Sequence, residues 1–252
     1  MNISGNYTLG EYIRQNIRYS LESRNLSPRS GASASIVAEK GETVLSEIST
    51  ALNIDTTDNQ RLPTEGYVFS IASAFAGLGG DKEFLRINNN GNYYHSFNDQ
   101  AIILNLEYNA GVIMGLGQDI LISDRYFLGG NSFRGFDQSG IGPRDKNNSD
   151  SLGGNIFYTS SIKASFGVGL PPELGIKANW FATIGSLTGV DKSSVSFHDD
   201  SSIRMSSGAG LSWNSPFGPI SLSLIHISEH TRRYAISLSV VRVKKTGRGG
   251  GG

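Results

Sequence analysis

The side chains best suited to chemistry lie in one glycine-rich stretch, FLGGNSFRGFDQSGIGPRD, from Phe127 to Asp145. It carries the hydroxyl of Ser132 and the guanidinium groups of Arg134 and Arg144. A serine nucleophile would require G-x-S-x-G at a strand-to-helix turn. A phosphate loop would require G-x-G-x-x-G or a glycine loop ending in Lys-Ser/Thr. The stretch has neither pattern, which leaves the arginines as its chemical groups, able to form ion pairs and to donate hydrogen bonds.

Other catalytic groups are sparse. The four histidines, His95, His198, His226 and His230, show no metal-ligand spacing, and there is no cysteine. The missing cysteines exclude disulfides, thiolate catalysis and cysteine-bound metal. His198-Asp199-Asp200 is open to two interpretations, a fragment of an acid–base site or an extramembrane loop, and the loop is favoured. We therefore predict a protein that is not an enzyme and has no catalytic residue, metal site or cofactor.

Bulk composition restricts the class further. The chain has 252 residues, 22 basic and 22 acidic side chains, zero formal net charge and 32 glycines. The charge balance gives no electrostatic reason to expect a nucleic-acid partner. No apolar run approaches the roughly 20 residues of a membrane-spanning helix. The start of the chain shows no signal segment, from which we expect the chain to begin inside a larger protein.

The elements that would position the arginines are long strands. In QAIILNLEYNAGVIMGLG one face is apolar and the other carries Asn105, Glu107, Asn109 and glycines, which is the period-two pattern of a strand. Similar patterns occur in IFYTSSIKASFGVGL, GIKANWFATIGS and SIRMSSGAGLSWN, and about ten such segments can be counted. Turn residues separate them at Asn98-Asp99, at Gly79–Lys82 and from Asp55 to Gly66.

Two architectures fit these strands. A soluble sandwich or barrel turns its apolar face inward, whereas an outer-membrane barrel turns that face to lipid and keeps a polar lumen. The second face is rich in Gly, Ser, Asn and Thr but poor in charge, and the strands are long enough to span a bilayer. Pattern alone therefore favours an all-β fold, a transmembrane antiparallel up-and-down barrel.

Four stretches together resemble the BamA family of outer-membrane protein assembly factors, the bacterial surface antigens. The most specific is F-x-G-G-x-x-S-x-R-G-F followed by I-G-P-R-D. Before it comes D-N-x-x-x-P-T-x-G, from Asp58 to Gly66, and after it G-G-N at 153–155 and S-P-F-G-P-I at 215–220. The resemblance runs from about Asp55 to Leu224. Its functional loop has these members: Phe127, Gly129, Gly130, Ser132, Arg134, Gly135, Phe136, Gly142, Pro143, Arg144 and Asp145.

The family resemblance implies a 16-stranded barrel of a Gram-negative outer membrane, preceded by periplasmic POTRA domains. Residues 1–241 would form a partial barrel of about ten strands, with the arginine loop (127–145) folded into its lumen. The implied partners are outer-membrane lipids, unfolded β-barrel clients, and accessory lipoproteins and chaperones reached through POTRA domains absent from this chain. The resemblance implies that this barrel inserts other barrels. The alternatives are a two-partner secretion transporter of the same superfamily and a passive porin.

The resemblance leaves the partner of Arg134 open. In the family, the matching arginine pairs with acidic residues on lumen faces of the next two strands, and the corresponding positions here fall near Lys163 and Thr183. Neither is acidic, so backbone carbonyls or other acids, Glu107 and Asp145 among them, are the expected acceptors. After Val241 the chain becomes basic and ends in four glycines (242–252), and we predict a disordered or non-native tail there, with binding to anionic surfaces as the alternative.

Overall fold

The computed structural model describes residues 1–31, 36–37, 39–171, 174–191, 197–198, 201–215, 218–228 and 236–239. The predicted tail, 242–252, and Asp199-Asp200 lie outside this described part. Thirteen strands are present among the described residues. In chain order they are β1 Asn2–Thr8, β2 Ile13–Leu26, β3 Gly41–Asp55, β4 Gly66–Ala76, β5 Phe84–Phe97, β6 Ile102–Gly115, β7 Arg144–Asp145, β8 Ile156–Gly167, β9 Ile176–Thr188, β10 Phe197–His198, β11 Arg204–Ser215, β12 Gly218–Ser228 and β13 Ile236–Ser239.

Eleven of these strands form one antiparallel sheet in the order β1-β2-β3-β4-β5-β6-β8-β9-β11-β12-β13. Each strand pairs with its neighbours along the chain, which is the up-and-down arrangement. The remaining two, β7 and β10, pair with each other outside the sheet. The predicted fold class, long antiparallel strands of a partial barrel, is therefore confirmed. In the described part of the chain one 3-10 helix, Ile122–Asp124, accompanies the strands, and no helix there is long and apolar enough to cross a membrane.

Alternation along the strands separates two faces of the sheet. Asn105, Lys163, Phe181 and Gly208 are consecutive partners across β6, β8, β9 and β11 and therefore lie on one face, which we call the loop face. The opposite face, which we call the apolar face, carries large exposed side chains that include Leu106, Tyr108, Trp180, Ile184, Met205 and Leu211. The sequence pattern predicted the division correctly in all four of these strands.

Connections are long at one end of the sheet and mostly short at the other. The long ones include 27–40, 116–155 and 189–203, and the short ones include 9–12 and 98–101. The predicted turn at Asn98-Asp99 is confirmed, because Asn98, Asp99 and Gln100 have φ values of 51°, 52° and 68°. Such left-handed backbone is tolerated best by Asn, Asp and Gly, which explains this tight link between β5 and β6.

Two buried clusters lie where the 116–155 connection packs on the sheet. The first contains Leu45, Ala76, Phe84, Ile113 and Ile120. The second contains Leu128, Phe133, Phe136, Ile141 and Leu187. The partly buried ring of Tyr126 packs against both. In both clusters side chains of the connection pack on residues of the sheet, so the loop forms much of the hydrophobic core of this chain.

Candidate functional site: the loop between β6 and β8

The arginine-bearing loop is a compact structure with its own backbone hydrogen bonds. Isolated bridges join Tyr126 to Gly154 and Leu128 to Ile141. At the tip, the Gly130 N–H donates to the Phe136 carbonyl at 2.8 Å. The hydroxyl of Ser132 accepts from the Gly129 N–H at 3.1 Å and donates to the Gly129 carbonyl at 3.0 Å. These bonds satisfy backbone groups that would otherwise be buried without partners.

Two glycines are required by close approach. Gly129 has φ +133°, and a Cβ there would lie 2.0 Å from the carbonyl oxygen of Asp137. Gly142 has φ +109°, and its Cβ would lie 2.6 Å from a methyl carbon of Leu187 on β9. Any side chain at the first position collides with the loop's own backbone, and at the second it pushes the loop off the sheet. The glycines therefore let the loop fold tightly and dock closely.

Aromatic side chains fix the tip of the loop. Phe133 is 1% exposed, Phe136 is 9% exposed, and their rings meet edge to face with centroids 5.2 Å apart. Phe127 is 37% exposed and contributes less to this core. Aromatic pairs in this geometry stabilise beyond the area that they bury. Phe133 and Phe136 thus anchor the tip of the loop, and Arg134 projects from between them.

Arg134 faces a ring and not a carboxylate. Its guanidinium carbon lies 5.1 Å from the ring centroid of Phe181, which is on the loop face of β9. Among the described residues, Arg134 takes part in no ion pair. Phe181 in turn lies over Gly208, where a Cβ would come within 2.8 Å of the ring. A cation–π contact thus holds the arginine at the place where an acidic partner was expected.

The three residues considered as partners have other contacts. Glu107 accepts a hydrogen bond from the Asn109 side chain at 3.0 Å. The Thr183 hydroxyl pairs with that of Ser161 at 2.9 Å. Lys163 is the cross-strand partner of Phe181, and its charge interacts repulsively with Arg134 and attractively with Glu107. Arg134 and Lys163 therefore share one region of the loop face, as the sequence suggested, but the contact that Arg134 makes there is with the ring of Phe181.

Arg144 ties the loop to itself. One guanidinium nitrogen donates to the Ser149 carbonyl at 2.9 Å, and the other donates to the carbonyls of Ser139 and Gly140 at 3.3 and 3.2 Å. The neighbouring Asp145 is 3% exposed and accepts from the Asn147 N–H at 2.8 Å. Pro143 is fully buried, and its carbonyl accepts from the Leu152 N–H at 2.9 Å. Asp145 therefore serves the loop's own backbone.

The sequence did not point to the polar anchors at the entrance of the loop. Asp124 in the 3-10 helix pairs with Lys82 at 2.5 Å and with Arg24 at 3.1 Å. The Tyr126 hydroxyl donates to the Asn88 side chain at 2.6 Å, and burial raises the pKa of Tyr126 to about 12. Asp124 and Tyr126 lie just before the arginine stretch, and this position was the only signal in the sequence. Their partners come from earlier strands and connections, and no motif links the two groups.

The geometry defines a class of protein: a sheet of long up-and-down strands whose apolar face is exposed and whose other face holds an inserted, compact loop. An Omp85 superfamily domain matches residues 2–227. The chain belongs to the Omp85 superfamily, and this confirms the predicted family and its outer-membrane location.

Three known proteins that are similar to this chain support the same assignment. Outer membrane protein assembly factor BamA of Neorickettsia risticii is 40% identical over 217 residues, which are 85% of this chain and 29% of that protein. BamA of Nitratidesulfovibrio vulgaris is 28% identical over 223 residues, 84% of this chain and 27% of that protein. The human sorting and assembly machinery component 50 homolog is 29% identical over 137 residues, 52% of this chain and 28% of that protein.

A solved structure shows the same fold. The crystal structure of BamA from Haemophilus ducreyi lacking POTRA domains 1–3 superimposes with a TM-score of 0.75 at 17% identity. The match covers 94% of this chain and 52% of that one. The chain thus spans less than a third of the length of the curated relatives described above and about half of the crystallised protein.

Proposed function

We propose that this chain is the barrel portion of an outer-membrane protein assembly factor, which folds β-barrel proteins and inserts them into the outer membrane of a Gram-negative bacterium. The observation that carries the proposal is the docked loop, with Phe133 and Phe136 buried and Arg134 over Phe181. The loop is built into the core of the sheet, and two relatives that align with over four fifths of this chain are named assembly factors. The proposed role is mechanical and includes no catalytic step.

The two alternatives have less support. A passive porin has no need of a rigid loop that covers Leu187 and Ile113 on the face toward its lumen. A two-partner secretion transporter would share the superfamily, but the two bacterial relatives that align with over four fifths of this chain both carry the assembly-factor name. The docked loop together with these relatives therefore favours assembly.

The partners follow from the two faces. The apolar face exposes Tyr108, Trp180 and Leu211, side chains that suit contact with outer-membrane lipid. Unfolded β-barrel clients are the substrates that the proposed function requires. Accessory lipoproteins and chaperones would act through POTRA domains of the complete protein, which we propose on the resemblance to BamA.

The test replaces Arg134 in the complete protein that contains this chain. Arg134→Ala is expressed while the cell's own assembly factor is depleted, and folded client barrels are counted by their heat-modifiable migration. We expect the variant to insert its own barrel but to assemble clients at a clearly reduced level, because the tip loses its contact with Phe181.

Arg29→Ala is the matched control, since it removes the same charge from an exposed residue in the 27–40 connection. Client assembly equal to that of the parent in Arg134→Ala would refute a functional role of the loop arginine. Failure of the unsubstituted complete protein to restore client assembly in the depleted cells would refute the proposed function itself.

A further inference from the structure

A buried charge cluster fixes the start of the loop to the sheet. The Asp124 carboxylate is bound by Lys82 Nζ at 2.5 Å and by an Arg24 guanidinium nitrogen at 3.1 Å. The Asp124 backbone carbonyl also accepts from Arg86 at 2.9 Å. Lys82 Nζ donates a further hydrogen bond to the Ser123 hydroxyl at 3.2 Å. One acidic residue of the loop is thus held by three basic residues of the sheet and its connections.

These basic residues come from separate parts of the chain. Arg24 is on β2, Lys82 is in the connection between β4 and β5, and Arg86 is on β5. The side chain of Glu39, in the connection before β3, additionally accepts from the Ile122 N–H at the start of the 3-10 helix. The entrance of the loop is therefore bound to the β2–β5 side of the sheet, whereas the tip reaches β9 through Arg134 and Phe181.

The Lys82–Asp124 ion pair at the centre of this cluster is almost fully buried. The side chains of Lys82 and Asp124 are 4% and 3% exposed, while Arg24 is 38% exposed and also pairs with Glu22. Two buried charges are tolerated when each satisfies the other, and removal of the Asp124 carboxylate leaves the buried Lys82 ammonium group without its counter-charge. The lysine and aspartate therefore hold each other, and the segment that carries Asp124 cannot leave the sheet without exposing or stranding a charge.

We propose that Asp124 is a positioning residue, whose ion pair with Lys82 sets the entrance of the loop so that its tip docks on β9. This assignment rests on the proposed function for its biological meaning, because the docked tip is the feature assigned to assembly. Loss of the pair loosens the loop while the sheet stays folded. The tip then leaves Leu187, the β9 side chain that it covers.

A single engineered thiol measures this docking directly. The chain has no cysteine, and Leu187 is 1% exposed beneath the loop, close to Gly142. The complete protein with Leu187→Cys, and with any cysteine outside this chain replaced by serine, is treated in outer-membrane vesicles with a water-soluble maleimide. A thiol reacts only when it is accessible, so the labelling rate reports the fraction of time that the loop is lifted.

We expect Asp124→Asn to raise the labelling rate by about tenfold, which corresponds to about 1.4 kcal/mol of lost docking. Asp137→Asn is the matched control, since it removes one charge from an exposed residue of the same loop and should label at the parent rate. The double variant Asp124→Asn/Lys82→Met removes the stranded charge as well. The double variant should be labelled as fast as Asp124→Asn. Its barrel should be as heat-resistant as that of the parent, because only the ion pair between the loop and the sheet is missing.

Two results would overturn the proposal. One is a parent-like labelling rate in a folded Asp124→Asn variant. The other is a return to the parent rate in the double variant, which would show that only the stranded lysine mattered. If Asp124→Asn does not accumulate, Lys82→Met replaces it, since this variant removes the same ion pair but leaves Asp124 bound to Arg24, and an unchanged rate there also counts against the proposal. Client assembly is not measured, so these outcomes are independent of whether the assembly function itself is correct.

Discussion

The guanidinium carbon of Arg134 lies 5.1 Å from the centre of the Phe181 ring, with the ring between the arginine and the backbone of Gly208. The tip of the loop is therefore held against the sheet by the face of an aromatic ring. A cation over a ring keeps part of its hydration, so this contact requires no buried carboxylate.

The first prediction concerns that contact. Phe181→Leu should remove about 0.5–2 kcal/mol of interaction with Arg134. In a double-mutant cycle with Arg134→Ala, the free energy of unfolding in urea is measured for each variant. The losses caused by the two substitutions should be less than additive. Phe181→Trp is the control that keeps a ring at the position. Additive effects of the two single substitutions would show that the side chains do not interact.

The second prediction concerns Gly129. Gly129→Ala should destabilise the docked loop by more than about 1 kcal/mol, because φ is +133° and the new Cβ would meet the Asp137 carbonyl at 2.0 Å. Faster cleavage of the loop by an added protease would show the effect. Gly167→Ala on β8 has open space around its Cβ and should be cleaved like the parent. Equal cleavage of the two variants would contradict the packing described here.

The third prediction concerns alkaline pH. The folded state raises the pKa of Tyr126 from 10.0 to about 12, chiefly by burial. Because the neutral form is favoured, this stabilisation is fully present below pH 10 and is lost as the pH rises through 12. The tyrosinate absorbance of the parent minus that of Tyr126→Phe should therefore titrate near pH 12. A difference curve with its midpoint near 10 would mean that the ring is solvated.

The fourth prediction concerns Arg144. Arg144→Lys keeps the charge but loses the fork that reaches the carbonyls of Ser139, Gly140 and Ser149. A hydrogen bond of this kind contributes about 0.5–1.5 kcal/mol net, so protease cleavage of the loop should become several-fold faster. Arg29→Lys, at an exposed residue, is the control. Identical cleavage in both variants would show that a single ammonium group is sufficient.

Local pattern was enough to predict the strands and their faces. Side chains alternate across a strand whatever its neighbours are, so the division of Leu106 and Trp180 from Asn105 and Phe181 could be predicted from the order of residues alone. Turn-forming residues likewise predicted the turn at Asn98-Asp99, and the glycine-rich motif predicted the loop. These features depend on backbone preferences that act over a few residues.

The tertiary structure alone decided what the loop touches. Lys82 and Asp124 are 42 positions apart, and Phe181 reaches Arg134 only because the pairing of β8 with β9 puts it opposite Lys163. A slip of one residue in that register would turn Phe181 to the apolar face and bring a neighbouring residue beneath the arginine. Strand registers and the path of the loop are set by packing over the whole sheet. The sequence by itself therefore determined the strands, their two faces and the presence of an arginine loop. The fold decided that Arg134 packs on the ring of Phe181 and that Asp124 is buried beside Lys82.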